Sequence, residues 1–302
     1  MLRRLTWRAA SIALTTAGVS SYALCTGART PADVIIEHRT GHTFPLTRGS
    51  GESLLGVNTR CMLGWCRLSI ARAYAFGLFA DEAALREGAS APPGKPRLDA
   101  LLDGAEAGIG VVSLVLVIAR SIEGDHLAHG FRNSVLNRYK KLIKSSVAVP
   151  DRAQALASGR AASGLPAVAV AVVNTAAITT SATATATATA AAGPLAELSD
   201  LCSAFSKHFF QIGDEAILEW RGGVVTLLIN GKVVPGAELR DGKLARALFD
   251  VYAGDAPVSA RAKTTFEANL NSLAAFMEGG GRDRLTAVLP EIVMREHATR
   301  TK

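Results

Sequence analysis

Residues 51–85 read GESLLGVNTRCMLGWCRLSIARAYAFGLFADEAAL, and their second half alternates. From Leu68 the large side chains Leu68, Ile70, Arg72, Tyr74, Phe76 and Leu78 fall on one side, and Ser69, Ala71, Ala73, Ala75 and Gly77 on the other. A period of two is that of a β-strand, here with one bulky face and one face open to close packing. Arg60 stands just before this strand and Tyr74 sits on its bulky apolar face. A guanidinium and a phenol so placed suit the grip of a carboxylate or enolate at a pocket mouth, although a surface Arg and a core Tyr share the same spacing.

On the N-terminal side, DVIIEHR (33–39) reads as a short strand leading through Thr40, Gly41 and His42 into TFPL, a turn. On the C-terminal side, VVSLVLVIA (111–119) is a continuous apolar run of strand length, as expected for a strand buried on both faces. The period then changes. Over 125–143, Leu127, Phe131, Ser134 or Val135, and Arg138 recur at helical spacing, with Asp125 available as N-cap and KKLIKSS supplying cations at the C-terminal end. Residues 198–210 predict a second amphipathic helix with a Leu201, Phe205, Phe209 stripe.

AILEW, RGG, VVTLLIN and GKVV then spell strand, glycine turn, strand, Asn230-Gly231 turn and a short third strand. Leu244, Leu248 and Val251 mark a helix closed near Gly254. Phe266, Leu270, Leu273 and Phe276 mark another, ended by Gly279, Gly280 and Gly281. Strands and helices are segregated rather than alternating, so the class is α+β with an antiparallel sheet.

At 302 residues, with 49% hydrophobic, 20% charged and 6% aromatic side chains, the chain encodes something compact, with no collagen, coiled-coil or disulfide-scaffold signature. The net charge of +7 is largely an N-terminal effect, because Arg3, Arg4, Arg8 and Arg29 all precede the first acidic residue, Asp33. No stripe of interleaved cations and aromatics supports nucleic-acid binding. Cys25, Cys61, Cys66 and Cys202 are too few for a disulfide framework, and Cys61 with Cys66 has no second pair to complete a zinc site, so small buried thiols are expected and no metal. Phosphate-cradling glycine loops, HExxH, Walker and GxSxG motifs are absent.

Residues 1–24 contain arginine, no acid, and much Ser, Thr and Ala, as a mitochondrial presequence does. A secretory signal or membrane anchor is the alternative, since residues 9–24 are uncharged behind a basic start. Residues 161–196 carry no charge and include the Ala/Thr repeat SATATATATAAAG. Their most apolar part, PAVAVAVV, is too short to cross ~30 Å of hydrocarbon, so an insertion or flexible linker is expected rather than membrane association.

The opening stretch resembles the signature region of chalcone-isomerase-fold proteins, in which a Gly-Val-x-x-Arg segment precedes a strand ending Tyr-Ala-Phe-Gly-x-Phe/Tyr-x-Asp. Here these are Gly56 to Arg60 and Tyr74 to Asp81. LVIARSI (116–122) with its following helix, GDEAILEWRGGVVTLLINGKVV (213–234) and LARALFDVYAGDAPVS (244–259) keep the family's order. The resemblance covers roughly residues 33–275, with inserts around 83–108 and 148–196. It implies a curved antiparallel sheet packed against a layer of helices, an open-faced sandwich, with residues 1–31 as presequence and 32–302 as one domain.

In the family's plant enzymes an Arg and a Thr polarise a chalcone, while a Tyr, an Asn and a second Thr orient it for ring closure. Arg60 matches that Arg. Tyr74 falls at the strand Thr, Leu127 at the helix Tyr, Ser134 at the Asn and Val251 at the second Thr, so most of the hydroxyl network that orients a chalcone is missing. The Arg60 and Tyr74 pairing is similar instead to the non-catalytic, fatty-acid-binding branch, with Phe76, Leu127, Phe131, Val135, Leu248 and Val251 forming an apolar slot. No cofactor is required for that use. Fungal mitochondrial members imply haem as an alternative, for which His126 and His129 are the candidate axial ligands. An isomerase or intramolecular lyase on an unknown substrate is the third class.

Replacing Arg3, Arg4 and Arg8 by Gln removes the positive face of the presequence, so a fluorescent fusion is expected to leave mitochondria. Persistent mitochondrial signal, or delivery of the unmutated fusion to the secretory pathway, contradicts the assignment.

Overall fold

The computed structural model describes residues 34–49, 51–61, 71–147, 193–279 and 285–300. Residues 1–31, expected as a presequence, the expected strand start at Leu68 to Ile70, the Ala/Thr tract, Gly280 and Gly281 lie outside the described residues.

The main sheet has six strands: β3 (Ser53–Cys61), β4 (Arg72–Ala80), β5 (Val111–Ile118), β8 (Glu215–Arg221), β9 (Val224–Ile229) and β10 (Lys232–Leu239). They run in the order β10-β9-β8-β5-β4-β3, with every neighbouring pair antiparallel. All eight residues of β5 are buried, as its unbroken apolar run requires. The β8–β9 turn holds Gly222 and Gly223 at φ 57° and 80°, and the β9–β10 turn holds Asn230 and Gly231 at 51° and 75°. Two successive positive φ values match the strand twist in two-residue hairpins, which is why these dipeptides stand there. β10 is longer than GKVV because the ladder resumes at Glu238 after an irregularity that spans Pro235 and Gly236.

β1 (Val34–Ile36) pairs with β2 (Thr43–Pro45). TFPL is therefore mostly strand, and the turn falls earlier, where the Glu37 carboxylate accepts from the Arg39 and Thr40 amides at 3.1 and 2.9 Å. This hairpin lays Phe44 over β4, where a Cβ on Gly77 would stand 2.9 Å from the Phe44 ring. The small face of β4 thus accepts a close neighbour, in line with its alternation.

Helices cover the other side of the sheet. α1 (Glu82–Ala89) is capped by Asp81, and α2 (Arg97–Glu106) follows. Residues 83–108, expected as an insert, place Leu85, Leu98, Leu101 and Leu102 wholly inside the core. α3 (Gly124–Val147) starts one residue before Asp125, which lies in its first turn instead of capping it. α4 (Pro194–Ser206) ends before Phe209. The Phe209 expected in its stripe belongs instead to β7 (Phe209–Phe210), paired with β6 (Ile122–Glu123), and is 59% exposed while Phe210 is buried. The helical period of the side chains continues through a strand of only two residues.

α5 (Gly242–Ala253) and α6 (Ala260–Glu278) match the sequence reading and are capped by Asp241 and Ser259. α7 (Leu285–Arg300), not foreseen, packs on α6 and β3. α3 packs between α4 and α5, and α2 on α5. Among the described residues no helix is long and apolar enough to cross a membrane.

One ion cluster ties α2 to α5. Arg246 donates from Nε to Asp250 and from Nη2 to Asp99, each at 2.9 Å, and from Nη1 to Asp103. Its side chain is 12% exposed, so removing it leaves Asp99 and Asp250 facing each other without their shared cation, while Asp103 keeps its pairing with Lys95. Arg246→Ala is expected to lower stability by about 2–3 kcal/mol, less than for a fully buried pair because Asp103 remains partly solvated. Chemical denaturation checks this, and a loss within experimental error would show that the cluster holds nothing.

Candidate functional site

Arg60 is not ahead of a strand but on one. In the β3–β4 ladder it stands directly opposite Tyr74, which in turn faces Ile118 of β5. Residues opposite each other in an antiparallel pair project from the same face, so register alone puts the guanidinium beside the phenol. Arg60 Nη1 donates to Tyr74 Oη at 2.9 Å, and its Nη2 reaches Ser134 Oγ at 3.5 Å. Ser134 Oγ donates to the Gly130 carbonyl on α3 at 2.8 Å. The Tyr74 hydroxyl meets that of Tyr252 at 2.6 Å.

Tyr252 escaped the sequence reading, which placed its neighbour Val251 at this position. The signal is there: Tyr252 follows Leu244 and Leu248 at helical spacing within the quoted LARALFDVYAGDAPVS segment. Its ring meets Phe76 edge-on at 5.0 Å and lies 6.3 Å from Phe131. Sheet, α3 and α5 therefore converge on one guanidinium.

Beside this cluster opens a cleft of about 230 Å³. Ile122, Leu127, Phe131 and Ala73 supply its apolar wall, and Arg60, Tyr74 and His126 its polar edge. A second cleft of about 220 Å³ carries Ser134 and Val251. Of the predicted site residues the structure thus brings Arg60, Tyr74, Leu127 and Phe131 to one cleft and Ser134 and Val251 to its neighbour. Phe76 is wholly buried behind Tyr252, and Val135 and Leu248 are also wholly buried. These three fill the space that an open slot would need. His126 is 68% exposed and 3.8 Å from Glu123, and His129 pairs with Asn133 at 2.9 Å on the solvent side of α3. They do not converge on an enclosed space.

Cys61, at the rim of the first cleft, is disulfide-bonded, a correction to the expectation of thiols throughout. Cys202 is a buried thiol, 3.7 Å from the Ala128 carbonyl. Among the described residues no cluster of three or more His, Cys, Asp and Glu side chains is placed to hold a metal ion.

Burial pushes the Tyr74 phenol above its ordinary value against the lowering effect of Arg60. It pushes Tyr252 well above, with the neighbouring Tyr74 adding to the shift. Both phenols are therefore neutral donors through the physiological range. Burial works against the Arg60 charge, but the Tyr74 and Tyr252 oxygens overcome it and leave the guanidinium more basic than usual. The chemistry on offer is a fixed cation with neutral hydroxyls at the edge of an apolar cleft, an arrangement suited to an oxyanion attached to hydrocarbon.

The site thus consists of an Arg and a Tyr facing each other at the seam between an antiparallel sheet and its helical cover. Among solved structures, the chain is similar to the fatty-acid binding protein AtFAP1 of Arabidopsis thaliana, with a TM-score of 0.50 and 21% sequence identity over 80% of this chain and 99% of that one. No protein-family model and no curated protein matches the chain. AtFAP1 has the chalcone-isomerase fold, and so does this protein.

The raised phenol values fix the sign of an alkaline effect. Unfolded tyrosines ionise near pH 10, whereas Tyr74 and Tyr252 resist ionisation in the fold, so the stability they lend is complete below about pH 10 and is lost as pH rises toward their folded values. Denaturation midpoints for the wild type are expected to fall more steeply above that pH than those of the Tyr74→Phe, Tyr252→Phe double variant. Parallel profiles would show that neither phenol is held neutral.

Proposed function

We propose that the protein binds a fatty acid or a similar amphipathic carboxylate, with the carboxylate on Arg60 and Tyr74 and the hydrocarbon against Ile122, Leu127 and Phe131. The observation that carries this reading is the Arg60–Tyr74–Tyr252 chain of hydrogen bonds opening on an apolar cleft. The shared fold of AtFAP1, itself a fatty-acid binding protein, supports it. The site lacks a hydroxyl at Leu127 and at Val251, so the reading is one of binding rather than chalcone ring closure.

The cleft is below the roughly 300–1,000 Å³ of typical ligand pockets, so it encloses part of a chain and leaves the rest along its rim. Haem, a ligand of drug-like size, does not fit: only His126 of the two candidate axial ligands touches the cleft, and its side chain is mostly in solvent.

For localisation we infer mitochondrial import directed by the N-terminal segment, with the secretory pathway or a membrane anchor as the alternative. Disulfides persist in oxidising compartments, so the Cys61 disulfide is the observation that supports the secretory alternative.

Arg60→Ala is expected to weaken oleate binding by about 1.5–3 kcal/mol, the range for a hydrogen bond to a charged group, and Tyr74→Phe by about 0.5–1.5 kcal/mol, that of a neutral one. Titration calorimetry with parallel melting curves separates binding from folding. Unchanged affinity in Arg60→Ala removes this residue as the anchor, and a collapse of its melting temperature makes it structural.

A further inference from the structure

The lining residues of the two clefts lie on one stripe of α3. His126, Leu127, Gly130 and Phe131 line the first, and Ser134, Asn137, Arg138 and Lys141 line the second. Steps of three, four and seven residues keep side chains on one helical face, so the two clefts follow one another along a groove-like face of α3. From Leu127 to Lys141 the stripe runs about 21 Å at 1.5 Å per residue. Its character changes at Ser134, where Arg60 reaches across from β3. Before Ser134 the wall is apolar; after it come an amide and two cations.

Among the described residues the charge there is not paired. α3 carries no acidic residue after Asp125, while Arg132, Arg138, Lys140, Lys141 and Lys144 follow. Among the described residues, no ion pair joins Arg138 or Lys141 to a carboxylate, and the second cleft has no acidic lining. Glu197 and Asp241, the acids that act on Tyr139 of the same helix, are already engaged, Glu197 with the Arg240 and Asp241 amides and Asp241 with the Leu244 amide. A carboxylate alone needs one cation, and Arg60 supplies it. Two further cations about 6–10 Å along the helix from Ser134 call for a second anionic group on the same ligand.

We propose that Asn137, Arg138 and Lys141 form a phosphate subsite, and that the groove takes a single-chain acyl ligand bearing a phosphate beyond its carbonyl. The acyl chain lies against Leu127 and Phe131, the carbonyl oxygen faces Arg60 and Ser134, and the phosphate lies between Arg138 and Lys141. This rests on the acyl-binding reading above and extends it to the ligand's head. A lysophospholipid carries this chemistry at that spacing, and an acyl thioester of phosphopantetheine carries it on a longer arm that has to fold back to reach the same cations.

The test is calorimetry on the full chain with oleate, oleoyl lysophosphatidate, palmitoyl-CoA and inorganic phosphate, for the wild type and for Arg138→Gln, Lys141→Gln. The wild type is expected to bind at least one phosphate-bearing ligand about tenfold or more tightly than oleate, an advantage that shrinks as salt is added. The double variant is expected to lose that advantage while keeping oleate affinity within about twofold and an unchanged melting temperature, because neither side chain is buried and neither makes an ion pair. A preference for lysophosphatidate assigns a lipid headgroup, and one for palmitoyl-CoA assigns the thioester. Equal affinity for oleate and both phosphate-bearing ligands in the wild type, or an undiminished advantage in the double variant, overturns the subsite. Failure of oleate to bind while inorganic phosphate still binds and is lost in the double variant overturns the acyl-binding reading alone.

Discussion

β5 constrains the architecture more than any other element. Eight consecutive residues, buried along their whole length and apolar except for Ser113, leave no face for water, so the sheet at this point has to be covered twice. The helices meet the requirement on one side and the β1–β2 hairpin contributes on the other, with Phe44 pressed against the glycine face of β4. Antiparallel neighbours on both sides of β5 then fix β4 by register, and β4 fixes β3. The position of Arg60 follows from that chain of pairings rather than from any local propensity.

A guanidinium at the seam between sheet and helices carries a desolvation cost that has to be met by oxygen atoms. Tyr74 meets it from the sheet, Ser134 from α3 and, through Tyr74, Tyr252 from α5. The same oxygens link the sheet to α3 and α5, so the polar cluster joins the layers while one side of it stays open to the cleft. Phe76, Phe131 and Tyr252 close around it as an aromatic group, which keeps water from competing for Arg60 on the core side and leaves the cleft as its open side.

How much of this is legible in the sequence depends on the range over which each signal acts. Period-two alternation in 72–80, the apolar run of β5, and the paired positive-φ turns Gly222-Gly223 and Asn230-Gly231 are local signals, and the strands stand where they say. α1 and α2 leave a weaker mark because their apolar residues are spread through a segment with Pro92, Pro93 and Pro96, although Leu98, Leu101 and Leu102 end in the core. Phe209 imitates a helical residue because the spacing across 201, 205 and 209 carries no mark of the break at His208. Arg60 and Tyr74 stand out in the sequence, but their contact needs the β3–β4 register, and that of Tyr252 needs the docking of α5. Long-range pairings of this kind leave no trace in any window along the chain.

Phe76, Val135 and Leu248 show the other side of that limit. Their spacing marks them as inward-facing, which they are, but inward-facing says nothing of whether the space beyond them is filled. Here Tyr252 fills it, packed edge-on against Phe76. Among the described residues the open apolar surface beside Arg60 is instead that of Ile122, Leu127 and Phe131, next to a helix that carries a run of cations. Along α3 an apolar stretch gives way to a basic one, and the change falls at Ser134, where the Arg60 guanidinium crosses from the sheet.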